Sequence, residues 1–301
     1  MPAQRLVEEY NTTMLHASNV LDLAVGVDWL TATCNDTRDR DAFGWVGADL
    51  LVEEVKKGNE RKSGRTLGYE AEIAGGATYG MRTADDLIQL RGTAARDYWK
   101  PVVQHASNVS RIDLAATFVL DAPRPDFGPF LYRAAKAHVP ATGRPCKTTR
   151  TYDTEGGQTV YLGARVSDSF VRIYDKGVEE KTHEPGLRWR VEVEYKRKLA
   201  FRAAHRLLAA AEPAQFIAGV VKAEAEAKGA VVPYDASGSR ICGAIQDSDE
   251  ERSLTWLNAS VSGCVGRLVN AGRLMDVLAA LGLHEVAEIV ERDLLRPRNA
   301  A

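Results

Sequence analysis

Between Thr159 and Lys198 apolar and polar residues alternate with period two in three successive runs. The runs are Thr159–Arg165, Ser169–Lys176 and Leu187–Lys196; they are rich in β-branched and aromatic residues and separated by Gly, Ser, Asp or Pro. That pattern predicts three short strands. Successive side chains of a strand point to opposite faces, so the alternation gives each face its chemistry. In the second run Arg172, Tyr174 and Lys176 share one face and Val171 and Ile173 the other. In the third, Arg190, Glu192 and Glu194 lie opposite Trp189, Val191, Val193 and Tyr195, and in the first Tyr161, Gly163 and Arg165 fall together. An earlier run, Val109–Leu120, sets Arg111 and Asp113 opposite Ile112 and Leu114. Paired with their apolar sides on one core, these strands collect a tyrosine, acids and basic groups on the other face. The plainer reading of such a face is the solvated side of an antiparallel sheet.

Elsewhere the periodicity predicts a helix over Asp41–Lys57, ended by Gly58, with Phe43, Val46, Leu50, Leu51 and Val55 as its apolar set. Leu67–Ile73 and Leu87–Leu90 read as strands around the Gly75-Gly76 turn, Thr93–Gln104 as a helix interrupted at Pro101, and Asp126–His138 as a helix after Pro123-Arg124-Pro125. Residues 1 to 24 carry a weak helical pattern. Beyond Leu199 no period-two run occurs, and helices are predicted over Phe201–Ala211, Pro213–Lys228, Trp256–Ala271 and Arg273–Leu295. The expected fold class is α+β: a mostly antiparallel sheet with helices covering one face, followed by a helical C-terminal region. The expected division is a domain over residues 1–212 and a helical region over 213–301, which either packs on the sheet or stands apart.

A formal net charge of −2 over 301 residues does not mark a nucleic-acid binder, but the local balance does change the picture. Residues 165 to 206 hold eleven Lys+Arg against seven Asp+Glu, whereas residues 1 to 60 hold five against eleven. Positive charge is thus concentrated where the polar face lies, and local field matters more to phosphate binding than the total. Arg61, Lys62 and Arg65, and Arg144, Lys147 and Arg150, are further loop cations that either meet a DNA backbone or are simply solvated. Cys34, Cys146, Cys242 and Cys264 form no Cys-x-x-Cys pair, and the histidines are scattered, so a zinc ribbon and a His-hydrophobe-His metal motif are both absent. No Gly-x-x-x-x-Gly-Lys-[Ser/Thr] loop is present, so ATP hydrolysis is not expected. No secretory signal and no run long enough to span a membrane is found, which makes the expected location the cytosol.

The stretches Arg111-Ile-Asp-Leu-Ala115, Thr159-Val-Tyr-Leu-Gly-Ala-Arg165, Ser167 to Glu179 and Arg188-Trp-Arg-Val-Glu-Val-Glu194 resemble the replication initiation factor family, as does Val27-Asp28-Trp29-Leu30-Thr31-Ala32-Thr33 read as an opening strand. The resemblance runs in order from about residue 27 to residue 200. Members are rolling-circle initiators of plasmids and phages, with related relaxases. It implies a metal-dependent enzyme that nicks and rejoins origin DNA through a tyrosine, with a host helicase and polymerase as partners and a homodimer as a plausible assembly. A conjugative relaxase, or a DNA-binding regulator on the same fold without catalysis, are the alternatives.

On that resemblance, and on its place between Arg172 and Lys176, Tyr174 is the expected nucleophile. A phenol is a poor nucleophile near neutral pH until its proton is removed. Attack on a phosphodiester would leave a 5′-phosphotyrosyl link and a 3′-hydroxyl. Arg172, Lys176, Arg190 and Arg165 are placed to offset charge on the phosphate, and Arg165, Arg190, Arg111 and Tyr161 to hold DNA. Tyr161 is also the rival nucleophile or a base-stacking residue. Asp113, Glu192 and Glu194 are expected either to hold Mg²⁺ or Mn²⁺, which prefer carboxylate oxygen, or to pair with the same arginines. The family's second acid, two residues beyond Ala115, is Thr117 here. Trp29, Trp189 and Tyr195 read as core.

Overall fold

The computed structural model describes residues 19–37, 39–139, 146–152, 157–241 and 272–280. The chain forms two compact units, Met1–Gly243 and Ala244–Ala301. In the first, the elements in chain order are β1 (Val20–Cys34), α1 (Arg40–Lys56), β2 (Arg61–Thr66), β3 (Tyr69–Ala74), β4 (Ala77–Met81), β5 (Asp86–Arg91), α2 (Thr93–His105) and β6 (Asn108–Leu120). They continue with α3 (Phe127–Ala137), β7 (Thr148–Tyr152), β8 (Gln158–Leu162), β9 (Ser169–Asp175), α4 (Lys176–Glu180), β10 (Arg188–Lys196), α5 (Arg197–Leu208) and α6 (Pro213–Glu226). The second unit is described only for α7 (Leu274–Ala280), where Arg273 Nε pairs with Asp276 Oδ2 at 2.6 Å. The helix expected over residues 256–271, and most of the one over 273–295, lie outside the described residues.

The strands form one ten-stranded sheet in the order β2-β3-β4-β5-β1-β6-β10-β9-β8-β7. Each neighbouring pair is antiparallel. The long strands β1 and β6 lie at its centre, and β10 and β9 follow on the β6 side. Alternation sorts the side chains there as expected: Trp189, Val191, Val193 and Tyr195 are buried, as are Val171, Ile173, Ile112 and Leu114. These join Phe43, Leu51, Val102, Phe130, Ala204 and Val221 from the helices in a single core. The fold is therefore α+β, with an antiparallel sheet and α1, α2, α3, α5 and α6 packed into the core on its apolar side. Helix α6 is part of that core through Ile217, Val220 and Val221, and the compact unit runs on past residue 212 to Gly243. Its carboxylate Glu224, fully buried, meets Lys228 Nζ at 3.1 Å, Arg240 Nε at 2.9 Å and the Ser169 hydroxyl at the start of β9.

Four local expectations are corrected. Residues 20–24 belong to β1 rather than to a helix, because they pair with the far end of β6. Arg61–Thr66 is an edge strand and not a loop: β2 pairs with β3 across Leu67 and Gly68, both at positive φ (51° and 84°), as a two-residue hairpin turn requires. Helix α2 continues through Pro101 to His105. The second strand of the charged stretch stops at Asp175, whose side chain accepts from Val178 N at 3.2 Å and Gly186 N at 2.5 Å. That cap turns the chain into α4, so Lys176 opens a helix and does not continue the strand's face.

Candidate active site

On the face away from the core, register determines which charges meet. Glu192 of β10 stands opposite Arg172 of β9, and Arg190 opposite Tyr174; on the other side Glu194 stands opposite Asp113 of β6, and Arg190 opposite Thr117. The acids are not solvated: Asp113 is 1 % exposed, Glu192 2 % and Glu194 9 %, and Arg190 is 8 % exposed. A solvated sheet face is thereby ruled out for these positions. Burying such charges is tolerable only where they are paired, and each is.

The Tyr174 hydroxyl donates to Glu192 Oε1 at 2.7 Å. Glu192 Oε2 meets the Arg172 guanidinium, and Oε1 lies 3.6 Å from Arg190 Nε. Arg172 Nη2 also reaches Asp113 Oδ2 at 3.5 Å. Asp113 takes a two-pronged contact from Arg111, 2.9 Å from Nε and 2.6 Å from Nη2. Arg111 lies 3.4 Å from Glu194, which meets Lys196 Nζ at 2.7 Å. Burial, and then the neighbouring Glu192 charge, pushes the Tyr174 phenol well above its ordinary range, against the opposing pull of Arg190. Burial likewise pushes the Asp113 carboxyl up to about 6, although Arg111 and Arg172 act to lower it.

Two functional side chains escape the alternation. Val27 and Leu30 are both fully buried, and between them the pairing of β1 with β6 shifts register. A bulge of this kind places two successive residues on one face. Asp28 and Trp29 consequently both line a cleft of about 530 Å³ above the sheet. Asp28 Oδ1 meets Arg190 Nη2 at 3.1 Å, so Arg190, whose partner in register is Thr117, draws its carboxylate from β1. Trp29, read as core, is instead half-buried on the polar side, with the Arg111 guanidinium 4.3 Å and the Arg91 guanidinium 5.7 Å from its ring centroid. Trp189 is core as expected. The Val27-Asp28-Trp29 motif was the available signal for both residues.

Arg111, Tyr161, Arg172, Tyr174, Lys176, Arg190 and Glu192 line this one cleft. Arg165 does not; it lies past the end of β8 on an adjoining groove. Lys176 reaches the cleft from α4, 5.6 Å from the Tyr174 ring centroid and paired with Glu179 and Glu180. Asp113, Glu192 and Glu194, expected as ligands of Mg²⁺ or Mn²⁺, form a ladder with arginines instead. Their oxygens suit a hard cation, but each is engaged by a guanidinium, ammonium or phenol. Among the described residues no three His, Cys, Asp or Glu come together closely enough to hold a metal ion. In this arrangement the residues do not fit a resident cation.

Residues 107–232 match a family model described as replication initiation factor. That segment runs from the start of β6 through α6 and holds Arg111, Asp113, Tyr161, Arg172, Tyr174, Arg190 and Glu192. The family resemblance of the motifs is thus found over the segment that builds the site; Asp28 and Trp29 precede it. Among solved structures, a rolling circle replication initiator protein from Geobacillus stearothermophilus is similar, at 17% identity and a TM-score of 0.48, with 77% of this chain and 91% of that chain covered. A search of curated proteins finds no significant match. Among the described residues no helix is long and apolar enough to cross a membrane.

Proposed function

We propose that this protein is a replication initiator that nicks and rejoins origin DNA at the start of rolling-circle replication, with Tyr174 as the nucleophile and Glu192 as its general base. The observation that carries the proposal is the 2.7 Å hydrogen bond from the Tyr174 hydroxyl to Glu192, set between Arg172 and Arg190 in an open cleft. A phenol held above its ordinary pKa stays protonated at neutral pH, so attack requires proton transfer in the same step, and Glu192 is already at transfer distance. The Tyr174 oxygen forms a bond to phosphorus, its proton passes to Glu192, and the bond from phosphorus to the 3′-oxygen breaks. The 3′-oxygen leaves and takes up a proton, and the 5′-phosphate stays on the tyrosine. Reversal by a 3′-hydroxyl restores the strand without ATP.

Charge accumulates on the phosphoryl oxygens at the transition state, where fixed donors contribute most. Arg172 and Arg190 line the cleft on either side of Tyr174, which suits their guanidinium groups to a phosphate that arrives there. Asp28 and Asp113 hold the two guanidinium groups in place. Strand separation and synthesis fall to a helicase and a polymerase. The test is nicking of supercoiled DNA that carries the replicon's own origin, wild type against Tyr174→Phe. Open circles formed by the wild type alone support the reading; equal cleavage by both proteins defeats it.

A further inference from the structure

Next to the catalytic cleft, over β8 and β7, lies a second groove of about 380 Å³. Tyr161 lines both. In register, Tyr161 stands opposite Arg172 on the nucleophile's strand and opposite Thr149 on β7, so the groove continues the site outward by two strands. The Tyr161 ring stacks on Phe170, with centroids 5.8 Å apart and planes at 18°, and the Arg165 guanidinium lies 6.0 Å from the Phe170 centroid. Phe170 is buried beneath this stack, whereas Tyr161 is half-buried and presents its ring to the groove. Lys147, Thr149, Thr151 and Arg165 are exposed around it.

The charge of the groove differs from that of the cleft. Asp28, Glu179, Glu180 and Glu192 line the cleft among its cations, whereas the described residues that line the groove include no carboxylate. Lys147 and Arg165 have no ion-pair partner among the described residues. Exposed cations beside hydroxyls suit a phosphate backbone, and an aromatic face beside them suits an unpaired base, because a base within a duplex has no free face to stack. A groove whose described lining carries no acid, adjoining the attacking tyrosine, suits the passage of one DNA strand.

We infer that the groove formed by Tyr161, Lys147, Thr149, Thr151 and Arg165 binds the unpaired DNA strand that flanks the nick, with a base stacked on Tyr161. This rests on the nicking reading of Tyr174, and it adds a single-strand track with two named phosphate-binding cations and one stacking platform. The experiment measures fluorescence anisotropy of a labelled twelve-nucleotide oligo(dT), and of a twelve-base-pair duplex, with the full-length protein over a salt series. Tyr161→Ala is expected to weaken oligo(dT) binding by about 5- to 150-fold, the range for loss of one stacked base. Tyr161→Phe, which keeps the ring, is expected to restore it. The double variant Lys147→Gln/Arg165→Gln, changed only at exposed positions, is expected to flatten the salt dependence of log K by about 1.4, or ~0.7 for each phosphate that is no longer neutralised.

Unchanged affinity and salt slope in these variants overturn the assignment, even if the wild type nicks its origin. Equal weakening of duplex and single strand overturns it as well. The expected losses in the variants, together with a wild-type protein that never nicks, leave the groove assigned and remove the nicking reading instead.

Discussion

Replacing Glu192 by Gln separates a proton acceptor from a mere hydrogen-bond acceptor. Gln keeps the shape and still accepts from the Tyr174 hydroxyl, now at 2.7 Å from Glu192 Oε1, but it does not take the proton. Loss of a general base lowers rates by about 10²- to 10⁴-fold, or about 3–5 kcal/mol of transition-state stabilisation. The electrostatic consequence has the opposite sign. After burial, Glu192 is the main influence that raises the Tyr174 pKa, and Arg190 opposes it. With the carboxylate gone the phenol becomes more acidic, so hydroxide generates phenolate more readily as pH rises. The deficit should therefore be largest near pH 7 and shrink toward pH 10. Single-turnover formation of open circles from origin DNA, wild type against Glu192→Gln across that pH range, measures it. The variant also leaves Arg172 and Arg190 short of a buried partner, a loss of a few kcal/mol, so both proteins are compared well below their unfolding temperatures. A deficit below about threefold at pH 7, or a large deficit that stays constant with pH, would refute the general-base assignment.

The Asp113 carboxyl titrates at about 6 in the folded chain against an ordinary 3.8, so the native state holds its proton more tightly than the unfolded state does. The stability contributed by that proton is full below about 3.8 and is lost as pH rises through about 6, a change of about 3 kcal/mol. Urea unfolding at pH 4 and pH 7.5 should show the wild type losing stability relative to Asp113→Asn by that order; a difference independent of pH contradicts it. Asp28→Asn, which removes the charge that faces Arg190 at 3.1 Å, should lower the nicking rate constant about tenfold, or ~1.4 kcal/mol, with DNA affinity little changed. An equal loss in affinity would make Asp28 a binding residue. Glu224→Ala removes a fully buried carboxylate held by Lys228, Arg240 and Ser169 and should cost about 3–5 kcal/mol of stability in urea, since the cations lose their buried partner.

The alternation of the strands made much of this legible in advance, because a period of two is fixed by strand geometry and independent of context. It separated Trp189, Val191, Val193 and Tyr195 from Arg190, Glu192 and Glu194, and the structure places them on opposite faces. Asp28 and Trp29 were not legible in the alternation, since a single bulged residue leaves no mark in the hydrophobic pattern and yet turns both side chains onto the site. Lys176 was read as one more strand residue because the Asp175 cap that ends β9 depends on the amide of Gly186, eleven residues away. The edge strand Arg61–Thr66 has no buried face to alternate, and its charges are what an exposed edge carries. For the acids, residue type alone left metal ligand and ion-pair partner open. Only register, with Arg172 opposite Glu192 and Tyr174 opposite Arg190, sets the phenol on Glu192.

If Tyr174 attacks the phosphodiester, a covalent bond between it and the DNA can be isolated. The full-length protein is incubated with supercoiled origin DNA and denatured, the DNA is digested, and the peptides are mapped by mass spectrometry. A nucleotide attached through its 5′-phosphate to the peptide that carries Tyr174 is expected, absent from Tyr174→Phe. An adduct on Tyr161, or nicked DNA with no adduct on any tyrosine, would contradict it.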